Sequence, residues 1–222
     1  MRRFAPILAL LLAASPAAAA PLVVVELYQS QGCSSCPPAN ANLNAVAARP
    51  DLLALSFGVT YWDQLGWKDS FASPQYTQRQ WDYAHAQGRQ QVWTPQVYLN
   101  GRKTVVGRDP REFAAAIAGA APLADVPLTV AAGSISVGAG RGSGDVWLVR
   151  YDPATENVPV KAGENNGRTL PHRNIVKQLV KLGHWQGQPV QFRLPAAPVA
   201  GLVTAALVQA GSGGPILAAA RG

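Results

Sequence analysis

The chain has 222 residues, 48% of them hydrophobic, which is enough to bury a substantial core, and its 19 Lys and Arg against 12 Asp and Glu give a formal charge of +7. The basic residues are scattered and the six tryptophans do not interleave with them, which argues against a nucleic-acid partner. Both cysteines fall in one C-x-x-C unit, which excludes a framework of structural disulfides.

Residues 1–20 carry Arg2 and Arg3, then an apolar run over 7–14, then small residues ending in Ala18, Ala19 and Ala20. This is the pattern of a secretory leader cleaved near Ala20, and the run is shorter than the roughly 20 apolar residues that span a bilayer. The expected product is exported, periplasmic or secreted, with no membrane anchor, and its formal charge falls to +5 because two arginines leave with the leader.

Residues 22–28 form an apolar, β-branched run interrupted only by Glu26, as in a strand buried on both faces. Ala39, Leu43, Val46 and Ala47 recur at helical spacing behind Pro37 and Pro38, which suit only a first turn, so a helix over 36–48 begins at the cysteine motif. Residues 52–60 give a second strand, and a right-handed crossover makes the two strands parallel. Their C-terminal ends, bearing Cys33 and Tyr61-Trp62-Asp63, then share one sheet edge, where sites form.

Ser73-Pro74 opens a helix that runs through 76–87 and stops at Gly88. Residues 97–100 and 103–106 make a hairpin, and 110–118 a short Ala-rich helix. The order is β-α-β-α-β-β-α over residues 21–121.

Beyond 121 the texture changes to short β-like runs at 128–130, 135–137, 146–151, 190–194 and 202–209, separated by glycines at hairpin rather than phosphate-loop spacing. Residues 122–222 therefore read as a mostly β C-terminal module packed on the first domain, and the whole chain as α/β, α+β overall. Within that module, 174–182 fits a 3.6-residue period and is expected to be a short helix, β pairing being the alternative. The Gly163-Glu164-Asn165-Asn166-Gly167-Arg168 segment caps the first domain or docks a partner.

A cysteine at a helix N-terminus meets unpaired N–H groups and the positive end of the helix dipole, which favour thiolate over thiol. Cys33 is the expected attacking thiolate and Cys36, one turn later, the thiol that resolves the mixed disulfide. Tyr61, Trp62 and Asp63 are expected beside them, Trp62 shaping a substrate groove, Tyr61 and Asp63 tuning charge, with aromatic packing under a loop as the plainer role. His85, His172 and His184 lack metal-cluster spacing, no Gly-x-Ser-x-Gly elbow or paired carboxylates occur, and neither metal nor other cofactor is expected.

The strand, the C-x-x-C at a helix start and the Thr94-Pro95 pair before a hairpin and closing helix resemble the thioredoxin superfamily. The resemblance implies that Pro95 is a cis-proline facing the cysteines, and that Thr94-Pro95 holds an extended substrate beside Cys33. It also implies that Glu26, seven residues before Cys33 and so one residue longer in register, is the buried acid that relays a proton to Cys36; a carboxylate held by local hydrogen bonds is the alternative. More closely, VVVELYQSQGCSSCPPAN, YWDQLGWKDSFASPQYTQRQ, VWTPQVYLNG and GENNGR are similar to a family of exported bacterial thioredoxin-like proteins of unassigned function.

The functional expectation is thus an exported thiol-disulfide oxidoreductase with protein or small-molecule thiols and disulfides as partners. Two readings stay open beside it: a copper-binding module using the two soft thiolates, and a noncatalytic thioredoxin-like interaction protein with an inert disulfide.

Overall fold

The apolar runs become strands with every residue buried: β1 (Val23–Gln29) and β2 (Leu52–Gly58) lie parallel, Val23 opposite Leu52 through Gln29 opposite Gly58. This is seen in a computed structural model that describes residues 21–123, 126–197 and 199–222. The expected leader at 1–20 lies outside the described residues. Between the two strands runs α1 (Pro37–Val46), its two prolines in the first turn, where their missing N–H groups cost nothing. α2 (Pro74–Ala86) starts where the Ser73 hydroxyl accepts from Gln75 N. The hairpin of β3 (Gln96–Leu99) and β4 (Lys103–Val105) follows, then α3 (Pro110–Ala118), capped by Asp109 accepting from Arg111 N and Glu112 N. The expected β-α-β-α-β-β-α order is present, with β3 antiparallel to β1.

Side chains alternate across β1. Val23, Val25 and Leu27 face Ala39 and Leu43 of α1 and Phe113, Ala116 and Ile117 of α3. Val24 and Tyr28 face the other way, with Tyr76 and Tyr83 of α2.

The remaining strands are β5 (Leu128–Ala131), β6 (Ser134–Val137), β7 (Gly144–Asp152), β8 (Glu156–Pro159), β9 (Thr169–His172), β10 (Ile175–Trp185), β11 (Val190–Arg193), β12 (Val203–Gln209) and β13 (Ile216–Arg221). The helix expected over 174–182 is a correction: that stretch is β10, antiparallel to β7 along its length. Register shifts between Val176 and Gln178 and between Lys181 and Gly183 interrupt the two-residue alternation, so the apolar positions imitate a helical period.

The second half has an apolar cluster of its own and also shares a sheet and a core with the first half. One sheet runs β13-β12-β7-β10-β2-β1-β3-β4, and a single apolar cluster joins Leu53, Phe57 and Tyr83 to Val149, Leu207 and Ile216. The sheet β11-β6-β5 packs over its far end, with Ile135 and Val137 against Val146, Leu148, Trp185 and Ala206. β8 and β9 form a two-stranded ribbon of their own. Among the described residues no helix is long and apolar enough to cross a membrane.

Asn174 fastens the halves. β10 meets β2 at one pair, Ile175 opposite Ser56, with Ser56 N donating to Asn174 O at 2.9 Å. The Asn174 amide donates to Ala47 O at 3.1 Å and Ala54 O at 2.8 Å from a left-handed backbone, φ 51°, that asparagine tolerates. Asn174→Ala leaves two buried carbonyls unpaired and is expected to lower the unfolding free energy by about 2–3 kcal/mol, read from the midpoint of urea denaturation.

Candidate thiol site

β1 delivers the chain into a turn in which Cys33 N donates to Ser30 O at 3.2 Å and Cys36 N to Cys33 O at 3.1 Å; Asn40 N then donates to Cys36 O at 3.0 Å and the helix begins. Cys36 is therefore the N-cap residue of α1, and Cys33 sits one turn earlier rather than at the helix start. Both are free thiols with no solvent-accessible surface.

The two sulfurs are unequal. Hydrogen bonding from the Cys36 thiol, chiefly, holds the Cys33 thiol down at about 6 against the opposing effect of burial, and the Ser35 hydroxyl 3.2 Å away adds to it. Burial first, and then its bond to Cys33, pushes Cys36 well above the usual thiol range. Ser35 Oγ is also 3.3 Å from Thr94 O, so the hydroxyl can rotate between carbonyl and sulfur.

The Thr94–Pro95 peptide is cis, and Thr94 O lies 3.8 Å from Cys33 Sγ. The Trp62 indole N–H donates to the Thr94 hydroxyl at 2.7 Å, which brings Trp62, Thr94 and Cys33 together as expected. Tyr61 lies close enough to feel Thr94 and both cysteines, and Asp63 serves the neighbouring loop. The Tyr61 hydroxyl donates to Gln80 Oε1 at 3.3 Å, in a network with Trp93 O and Gln96, and its pKa is raised, mainly by burial. Asp63 Oδ1 accepts from Asp69 N at 3.1 Å and shapes the loop after β2.

Glu26 is a further correction. It lies on the α2 face of β1 and is bound by Arg79, Nε at 3.0 Å and Nη2 at 2.9 Å, and by the Tyr83 hydroxyl. Strand alternation gives the reason: one extra residue between acid and cysteine sends the carboxylate to the face away from α1. What the α1 face carries instead is Gln29, whose Oε1 accepts from Asn40 Nδ2 at 3.2 Å; the same amide lies 3.2 Å from Nδ1 of buried His172.

Two attachments hold the cysteine turn: the connection through Trp67 and Asp69, which reads in the sequence as a lid over the motif with Trp67 as its anchor, and the 163–168 segment, which caps it; the particular bonds made by Asp69 and Asn165 are not legible in the sequence. Asp69, buried and raised to about 6 by that burial, accepts from Gln31 N and Phe71 N, both at 2.7 Å, while Trp67 Nε1 donates to Gln31 Oε1 at 2.9 Å. From the other side Asn165 Nδ2 donates to Gln31 O at 2.9 Å and Cys33 O at 2.8 Å, and Glu164 Oε2 accepts from Ser34 N at 2.9 Å. More than 130 residues separate Asn165 from these acceptors, and the only signal for it in the sequence is the Gly-flanked, Asn-rich GENNGR turn. Among the described residues no group of three or more His, Cys, Asp or Glu is gathered to hold a metal.

A family model described as "Protein of unknown function (DUF1223)" matches residues 24–209. The crystal structure of protein AGR_C_4864 from Agrobacterium tumefaciens is 36% identical, with 90% of this chain and 92% of that one covered and a TM-score of 0.76. HBP35 of Porphyromonas gingivalis shares the fold at 13% identity, with 91% and 74% covered and a TM-score of 0.56. A search of curated proteins finds no match.

Proposed function

We propose that this chain, which belongs to the DUF1223 family, is an exported thioredoxin-like thiol-disulfide oxidoreductase acting through Cys33 and Cys36. The observation that carries the reading is a pair of free thiols one turn apart, with Cys33 Sγ 3.8 Å from Thr94 O, and the directions in which their surroundings push the two thiols, Cys33 down and Cys36 up, support it. Parallel β1 and β2 followed by an antiparallel β3-β4 hairpin, with the C-x-x-C between β1 and α1, support the thioredoxin-like part. The Arg-then-apolar-then-Ala leader supports export.

In the reductive direction, the Cys33 thiolate attacks one sulfur of a substrate disulfide. A Cys33–substrate disulfide forms and the substrate's other sulfur leaves as thiolate. Cys36 then attacks Cys33 Sγ, and its proton goes to the second departing substrate sulfur. The pair ends as a disulfide, oxidised by two electrons, and the substrate as one thiol and one thiolate, the latter taking its proton from water; oxidation of a substrate dithiol is the reverse. The partners are protein or small-molecule thiols and disulfides.

Equilibrating the full chain with glutathione buffers and counting free thiols tests this. A Cys33–Cys36 potential between about −120 and −270 mV is expected. A pair that glutathione buffers neither form nor open overturns the assignment.

A further inference from the structure

Thiol-disulfide exchange requires a sulfur that the partner can reach, yet Cys33 is wholly enclosed. The 163–168 loop, at the tip of the β8–β9 ribbon, is fastened to the backbone of the turn that carries Cys33. Asn165, itself without accessible surface, spends both amide hydrogens on Gln31 O and Cys33 O; Arg168 Nη1 donates to Asn165 Oδ1 at 2.8 Å, and Glu164 takes the Ser34 N–H.

The loop is built as a unit. Asn166 N donates to Gly163 O, Arg168 N to Asn165 O and Gly167 N to Val160 O, with Gly163 and Gly167 at φ 71° and 81°. The ribbon behind it takes no part in the large sheet, and beside α1 it is tied by polar contacts, Asn44 Nδ2 to Pro171 O at 2.9 Å and Asn40 to His172. Val160, Leu170 and His172, which packs edge-on against Phe71 at 5.4 Å, keep the ribbon itself in place, whereas Asn165 is the one buried residue of 163–168; bonds like its own are exchanged for bonds to water at small net cost, so the tip can lift without uncovering a large apolar surface.

We infer that the 163–168 loop is an access gate that must withdraw from the cysteine turn before a protein disulfide reaches Cys33, and that it thereby sets which disulfides this site accepts. The inference rests on the exchange reading for the nature of the partner, and on the enclosure alone for the gate.

The test measures iodoacetamide alkylation of Cys33, located by peptide mass, in the reduced full chain at pH 8.5. There Cys33 is already thiolate, so the rate reports access rather than ionisation. Asn165→Ala is expected to raise the rate roughly tenfold or more, and Glu164→Gln, which keeps shape and removes only the charge on the Ser34 bond, a few-fold. For the same variants, reaction with a disulfide-bonded peptide is expected to gain more than reaction with iodoacetamide. Unchanged or slower alkylation in folded Asn165→Ala overturns the gate; if that variant does not fold, an unchanged rate in Glu164→Gln does so. Faster alkylation with no exchange against oxidised glutathione in either protein supports the gate and removes the oxidoreductase assignment, so the two fail separately.

Discussion

Alkylation of Cys33 is expected to follow a titration centred near pH 6, with Cys36 silent through the same range. An ordinary thiol ionises near 8.5, so at pH 7 Cys33 is thiolate by about ten to one where an unperturbed cysteine is thiolate by only a few per cent. The chief cause is the hydrogen bond from the Cys36 thiol, and Cys36→Ala is therefore expected to move the midpoint up toward the ordinary value, with Ser35→Ala giving a smaller shift in the same direction. The rate against pH from 5 to 9, followed by mass spectrometry, decides it: a midpoint near 8.5 in the unaltered protein removes the acidic thiol on which the mechanism depends. The sign of the stability linkage follows. Because the folded value of Cys33 lies below its unfolded one, its contribution to the stability of the dithiol form grows from pH 6 up to about 8.5 and is lost as pH falls through 6; above 8.5 the raised Cys36 opposes it, because only unfolding lets Cys36 ionise there. A stabilised dithiol also makes the pair a better oxidant, so the potential is expected toward the less negative end of its range.

Arg79→Ala and Glu26→Gln are each expected to lower stability by about 3–5 kcal/mol, or by roughly 10 °C in Tm. The guanidinium lies in the core, bonded to Glu26, to Gln209 Oε1 at 2.9 Å and to the Tyr83 hydroxyl at 3.1 Å, and stacked 5.2 Å from the Tyr83 ring centre and 5.4 Å from that of Trp147. Removing one partner strands the other's charge or hydrogen-bonding groups where water cannot reach them. Removing both with volume-matched apolar residues is expected to cost less than either single change, because no buried charge is left alone. The same variants separate a structural carboxylate from a proton relay. Glu26→Gln, where folded, is expected to leave the pH dependence of Cys36 attack on a Cys33 mixed disulfide unmoved; a shift of that profile by a unit or more would return Glu26 to the mechanism.

Much of the first hundred residues was legible because local chemistry is explicit there. Prolines and the Ser73 and Asp109 caps mark the three helix starts, and unbroken apolar runs mark β1 and β2. The C-x-x-C and Trp62 were found together because parallel strands must deliver their C-terminal ends to one edge, and Thr94-Pro95 was added by the resemblance to the thioredoxin superfamily. Glu26 was located but misread, since its role turns on which face a strand residue takes, and one residue of spacing reverses that. β10 was misread because its bulges hide the strand period. β13 was missed because an Ala-rich stretch, ILAAAR, has no strong strand preference, and its extended state comes from pairing with β12. Asn165 could not be assigned, because a hydrogen bond across more than 130 residues leaves no periodic trace.

β13 also bears on how the chain reaches its native state. Ile216 N donates to Asn100 O, while Asn100 Oδ1 accepts from Val24 N at 2.7 Å, so one asparagine links the first strand, the β3–β4 hairpin and the last strand. Contacts that close loops of such length form late and make folding slow. During synthesis the thiol-bearing half would emerge with the outer edge of β2 unpaired and its α2-side core open until some hundred further residues follow. Deleting residues 216–221 is then not a trim of the surface but the loss of the piece that completes the first strand's surroundings.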